Sequence, residues 1–301
     1  MARNIFKGLG IALVTPFTAD GEVDYKAIVR LVEYQIQNGA DFLCILATTG
    51  ETPCLSTEEK ENIKKLVVDT NRGRLPILMG CGGNNTRAVV EELKTADWTG
   101  IDGVLSVCPY YNKPSQEGLY QHFKAIAEAS PLPVVLYNVP GRTGINMKSE
   151  TTVRLARDCE NIVAVKEASG SLEQVDEIIK NKPDRFDVIS GDDALTFSMV
   201  ASGAAGSISV IGNALPKEVS RMIRLEFKGE IVQEIPCMYG KFFNKKAGFI
   251  SQEWWPDFCN YRRSKFDGYL TRLEMATYIV TEDFIYPRDK HNHEYGWGWS
   301  L

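Results

Sequence analysis

The chain has 301 residues, 44% of them hydrophobic, enough to bury the core of one barrel-sized domain with a small appendage, which excludes a disordered chain. A formal net charge of -5 and a pI near 5.5 argue against nucleic acid or an anionic membrane surface as partner, since the field of the whole molecule attracts neither. A small-molecule substrate is the class that remains.

The cysteines, Cys44, Cys54, Cys81, Cys108, Cys159, Cys237 and Cys259, are odd in number and form no C-x-x-C pair. Such a set suits reduced thiols in a cytosol, most of them packing residues. The opening stretch MARNIFKGLGIALVTPF has an apolar run too short to span a membrane and no small-residue cleavage site behind it, so it is read as the first strand of a cytoplasmic protein.

From Gly8 onward, short apolar runs alternate with amphipathic ones, the pattern of repeated strand-helix units around a parallel sheet. Strands are expected at 10–14, 42–46, 76–79, 103–107, 133–137, 162–166, 187–190 and 206–209. Ile28, Leu31, Val32 and Ile36 share one helical face that Gly39 ends, and Ser56 with Glu59 forms a capping box ahead of Ile63, Leu66 and Val67. Further helices fit 86–98, 116–129, 149–159, 172–179, 194–202 and 216–227. Eight strands, each followed by a helix, predict an α/β fold, a (β/α)8 TIM barrel closed by about Phe227, which makes 1–227 the catalytic domain and 228–301 a short, atypical C-terminal region. A competing doubly wound sheet lacks its dinucleotide fingerprint: Gly80, Gly82 and Gly83 cluster, but Asn85 stands where the third glycine would fall.

The segment NIVAVKEASG, 161–170, carries a charge into a run that reads as the inside of a parallel sheet, with Ile162, Val163, Ala164 and Val165 apolar without alternation. An ammonium taken out of water is costly, and the neutral amine it becomes is a nucleophile able to form a Schiff base with a carbonyl substrate. On the strand alone two readings of Lys166 stand: that chemistry, or a lysine that has reached the strand's exit and points into solvent. Barrel geometry adds a demand, because catalytic groups in this fold sit at the C-terminal ends of strands and in the loops that follow. The polar motifs fall there: ATTGE at 47–51, PYYNKPSQEG at 109–118, YNVPGRTG at 137–144, SGDD at 190–193 and GSISVIGN at 206–213. Hydroxyls, phenols, one guanidinium and one lysine thus converge without a histidine or cysteine cluster, which points to Schiff-base chemistry without a metal.

In this order and spacing, ATTGE, YYNKPSQEG, YNVPGRTG, VAVKEASG and GDD resemble the motifs of the dihydrodipicolinate synthase family over about residues 6–227, with Ala47 where the family commonly has glycine. The resemblance implies a class I aldolase-like lyase that joins pyruvate to L-aspartate 4-semialdehyde in lysine and diaminopimelate biosynthesis. It implies no cofactor beyond a covalent imine on Lys166, and a homo-oligomer, a dimer or a tetramer built from tight dimers. Carried over by motif, Lys166 attacks the ketone of pyruvate and Tyr137 donates and accepts protons, with Thr48 and Tyr111 as the other relay members. Tyr111 is expected to cross a dimer interface into the partner's site, with Tyr110 packing at that interface. Thr49 is expected to bind the pyruvate carboxylate, Ile208 to touch pyruvate through its main chain, and Gly191 to leave the site room. Arg142, held by the tight turn around Pro140 and Gly141, is expected to meet the carboxylate of the second substrate. N-acetylneuraminate lyase shares the lysine and tyrosine but lacks this arginine, and a barrel without activity is opposed by the presence of all the main functional side chains.

Past about Phe227 the resemblance stops. Trp254, Trp255, Trp297 and Trp299 fall there, Tyr278, Ile279 and Val280 pattern as a strand, and 265–276 pattern as a helix. His291 and His293 beside Glu294 read as a polar tail rather than zinc ligands.

Overall fold

A computed structural model of the chain describes residues 4–229; the strand expected at 278–280, the helix at 265–276 and the His291, His293 and Glu294 group lie outside the described residues. Eight parallel strands close a barrel in chain order, the last pairing with the first. The strands are β1 Gly8–Ala12, β2 Phe42–Ile45, β3 Ile77–Gly80, β4 Gly103–Val107, β5 Val134–Asn138, β6 Ile162–Glu167, β7 Asp187–Ser190 and β8 Gly206–Ser209. The helices are α1 Tyr25–Gln37, α2 Thr57–Asn71, α3 Thr86–Thr95, α4 Gln116–Ala129, α5 Pro140–Thr143, α6 Ser149–Asp158, α7 Leu172–Asn181, α8 Thr196–Ala201 and α9 Pro216–Phe227. Five helices start on a side-chain cap, among them the expected one at Ser56. Asp24, Ser56, Asn85, Ser115 and Ser171 each accept an otherwise orphaned backbone N–H, and Ser56 with Glu59 completes the capping box.

The differences from expectation lie at element ends. β1 begins at Gly8 rather than at 10, because the Gly8 N–H donates to the Ala205 carbonyl and Gly8 pairs with Gly206. A glycine carries no apolar signal by which a strand start can be read. The helix expected to run to 98 ends at Thr95, where Ala96 turns extended and the Trp98 indole N–H donates to the Leu93 carbonyl. The tight turn after β5 is a one-turn helix, α5, with Pro140 supplying the pre-set φ of its first position.

Side chains along the strands alternate between two packed regions. Phe42, Leu78, Leu105, Val135, Ala164, Ile189 and Ile208 fill the barrel, with Phe6 closing one end edge-on to Phe42. Leu43, Ile45, Ile77, Val104, Leu136 and Val165 face the helices. The alternation breaks once. Val134 lies opposite Ile162 but Val135 lies opposite Ala164, so Val163 is an extra residue on β6. Strict alternation from the outward Ile162 would send the residue at 166 outward as well; the bulge reverses the parity, turns Lys166 into the barrel and sets it opposite Tyr137.

Candidate active site

Lys166 is 3% exposed and Tyr137 is 6% exposed, side by side on β6 and β5. The ammonium nitrogen of Lys166 lies 4.4 Å from the centroid of the Tyr137 ring. The lysine therefore does not exit to solvent, and its aromatic neighbour is the phenol that the motifs pair with it. Room for its stem comes from β7's end: a Cβ on Gly191 would lie 2.9 Å from Lys166 Cγ and 3.0 Å from its Cε, so only glycine leaves the chain in place. Ile208 is buried on β8, where it aligns with Gly10 across the seam to β1.

Thr48 and Thr49 hang over this end of the barrel on a 3-10 turn, Thr48–Gly50. Leu46 makes that turn possible by adopting a φ of 49°, a left-handed conformation that costs a branched residue roughly 1–2 kcal/mol. Gly80 admits it, since a Cβ there would lie 2.1 Å from the Leu46 carbonyl oxygen. Two hydroxyls then pin the loop: Thr15 donates to the Gly50 carbonyl at 2.6 Å and Thr52 to the Ala47 carbonyl at 2.9 Å. Thr49 is buried and Thr48 exposed.

Arg142 is exposed on α5, and the turn that aims it is held by Thr143, whose hydroxyl lies 3.2 Å from the Val139 carbonyl and 2.9 Å from that of Ile145. Tyr111 is not brought to Lys166 within the chain. It is 89% exposed, has a φ of 70°, and projects from the loop after β4 beside Tyr110, which is 43% exposed. No group of three or more histidine, cysteine, aspartate or glutamate side chains arranged to hold a metal ion is found among the described residues.

Two residues near the lysine carry no role that the sequence motifs assign. Cys44, on β2, faces the barrel interior and its thiol is pushed up to about 11 by burial, with the Lys166 charge pulling the other way. Asp193 is buried, and its carboxylate accepts the backbone N–H groups of Val210 and Ile211 at 2.9 Å each, which fixes the segment after β8. Burial raises its pKa, opposed by hydrogen bonds from Ser209, Ile211 and Val210 and by the Lys166 charge. The SGDD motif marks the place, but nothing in its spacing distinguishes the half-buried Asp192 from the buried aspartate beside it.

A family model described as the dihydrodipicolinate synthetase family matches residues 5–235, and one described as AlkZ related matches 217–265 and 262–301. The 4-hydroxy-tetrahydrodipicolinate synthase of Phocaeicola vulgatus is 62% identical over 235 residues, 78% of this chain and 79% of the relative. Its counterpart in Parabacteroides distasonis is 63% identical over 230 residues, 76% and 77% of the two chains. Among solved structures, dihydrodipicolinate synthase from Aquifex aeolicus superposes with a TM-score of 0.79 at 38% identity, covering 93% of this chain and 98% of that one. The pyruvate complex of the chloride-inhibited enzyme from Acinetobacter baumannii gives 0.78 at 35%, covering 93% and 99%. With its closed barrel, the inward lysine beside a phenol and this extent of identity, the chain belongs to the dihydrodipicolinate synthetase family.

Proposed function

We propose that the chain condenses pyruvate with L-aspartate 4-semialdehyde to give 4-hydroxy-tetrahydrodipicolinate, the step that feeds lysine and diaminopimelate biosynthesis. The observation that carries the reading is the Lys166 amine, buried and 4.4 Å from the Tyr137 ring. The neutral amine adds to the pyruvate ketone and the carbinolamine loses water, giving an imine; its cationic nitrogen drains electrons so that the methyl group releases a proton and becomes an enamine. The enamine carbon attacks the aldehyde of the second substrate. The substrate's own amine then displaces Lys166 from the imine carbon, closing the ring and freeing the enzyme. No other cofactor is required, because the imine is the electron sink.

Tyr137 supplies and removes protons in the addition and dehydration steps, with Thr48 continuing the relay toward the opening. Thr49 receives the pyruvate carboxylate and the main chain at Ile208 borders it, while Arg142 takes the carboxylate of the semialdehyde as a planar two-pronged donor. Tyr111, so exposed in one chain, completes the relay in a second copy, which makes the working unit a homodimer or a larger homo-oligomer. The relative from Acinetobacter baumannii that holds pyruvate supports the first substrate. The test is incubation with pyruvate and borohydride followed by peptide mapping. A single reduced adduct on Lys166 is expected, absent in Lys166→Ala; labelling of another lysine, or of none, ends the Schiff-base reading. Turnover of N-acetylneuraminate without use of the semialdehyde would replace the second substrate.

A further inference from the structure

One residue beyond Tyr137 and Lys166, on the same two strands, stands a second pair that faces the other way. Asn138 and Glu167 are aligned across β5 and β6 and are 0% and 1% exposed. Both Glu167 carboxylate oxygens lie 3.1 Å from Asn138 Nδ2; Oε1 also accepts the Ser169 N–H at 2.8 Å and Oε2 the Gln174 Nε2 of α7 at 3.1 Å. Asn138 in turn accepts the Met147 N–H at 3.0 Å and donates to Asn146 Oδ1 at 2.7 Å, while Gln174 accepts from Asn146 at 2.8 Å. Main-chain bonds close the set, Ala168 N–H to the Asn138 carbonyl and Gly191 N–H to the Glu167 carbonyl. The carboxylate thus ties together β5, the turn after β6 and helix α7, and through Asn138 and Gln174 it reaches Asn146 and Met147 in the segment that follows the Arg142 turn.

A carboxylate is an expensive tie, because burying an ion is costly and the groups that hydrogen-bond this one, two side-chain amides and Ser169, are neutral. What it alone provides is pure acceptor character. An ionised carboxylate only accepts, so the amides of Asn138 and Gln174 must both turn their NH2 groups toward it, and the orientation of every amide in the set follows. Burial raises the Glu167 pKa while these hydrogen bonds oppose it.

We infer that Glu167 and Asn138 are positioning residues for the reaction, an outer acid-amide clamp that holds the inner pair, Lys166 and Tyr137, at fixed height and aim and couples them to the Arg142 turn. The inference rests on the proposed Schiff-base chemistry for its catalytic meaning, but the clamp itself is tested separately. Glu167→Gln keeps the shape and places an NH2 where an acceptor stood, against donors. In the folded variant the rate of pyruvate-borohydride trapping at saturating pyruvate is expected to fall about tenfold, with half-saturation by pyruvate changing by less than about threefold, because aim rather than binding is lost. The second readout needs no pyruvate: reductive methylation by formaldehyde with cyanoborohydride as the hydride donor, mapped by mass spectrometry, with the rate at Lys166 divided by that at Lys64, a lysine buried on α2 and outside the clamp. That ratio is expected to change at least about threefold, whereas general loosening would expose both lysines together. Gln174→Ala removes one donor from the helix side, and the same changes are expected at smaller size; it decides the matter if Glu167→Gln fails to fold. A folded variant with wild-type trapping and a wild-type methylation ratio overturns the clamp. A wild-type protein that forms no pyruvate adduct ends the Schiff-base reading, and the methylation ratio still decides whether Glu167 aims Lys166.

Discussion

Where β8 meets β1 the barrel wall closes with a glycine pair, Gly8 and Gly206, and where β5 meets β6 it carries an amine, a phenol, an acid and an amide. At the seam, Gly206 has a φ of +144° and a Cβ there would lie 2.0 Å from the Gly8 carbonyl oxygen. Asn213 reinforces it, donating to the carbonyls of Ala12 and Val210 and accepting the Val14 N–H. At β5 and β6 the same parallel geometry carries Tyr137 and Lys166 inward and Asn138 and Glu167 outward. The glycine contact at the seam bears on closure, and the β5–β6 pair bears the proposed chemistry, so a change at each should separate stability from turnover.

The largest expected effect is at the seam. Gly206→Ala forces a side chain into a backbone conformation that suits glycine and against a carbonyl that cannot move without opening the barrel. A loss of stability on the order of 3 kcal/mol is expected, read as a lower urea midpoint. Activity per folded molecule should stay near wild type. A variant of full stability would show that the seam tolerates the strand shift that the geometry forbids.

The chemical wall should give the reverse pattern. Tyr137→Phe removes one hydroxyl from a ring that keeps its packing, so the urea midpoint should hardly move while turnover falls by about a hundredfold. Pyruvate binding should persist, detectable as a borohydride-trapped adduct that accumulates more slowly. Wild-type turnover in this variant would take Tyr137 out of the proton path and leave the ring as packing for Lys166.

The two walls also differ in how far the amino-acid sequence alone reveals them. The eight strands are legible there because a parallel strand covered on both faces is a short apolar run between helix caps, and Phe42, Val104 and Ile189 stand in such runs. The mouth is legible because polar motifs recur at strand ends. The inward aim of Lys166 is not, since it depends on Val163 being an extra residue, and an apolar run without alternation carries no parity to read. Asn138 and Glu167 escape notice for a related reason: each extends its strand one residue beyond the expected end, and a polar residue there looks like the start of a loop.

A smaller shift is expected in the helical shell, away from both walls, at a residue that takes part in neither closure nor the proposed chemistry. His122 on α4 is buried; its Nδ1 lies 2.8 Å from the Thr86 hydroxyl of α3, and its Nε2 is buried without a hydrogen-bond partner among the described residues. Burial lowers its pKa from 6.5 to about 4. Above 6.5 the ring is neutral in both folded and unfolded chains and contributes no pH dependence. As pH falls from there, the unfolded chain binds a proton that the folded one refuses until about 4, so stability is lost across that window. Glu167 and Asp193, raised by burial, act in the opposite direction, but they are common to wild type and variant and cancel in the comparison. His122→Asn keeps a polar atom near the Thr86 hydroxyl and removes the titration. The urea midpoint should therefore fall less between pH 7 and pH 4.5 in the variant than in wild type, while the pH profile of turnover above 6.5 stays unchanged. Parallel losses in the two proteins would show that His122 is not the group that destabilises the shell in acid.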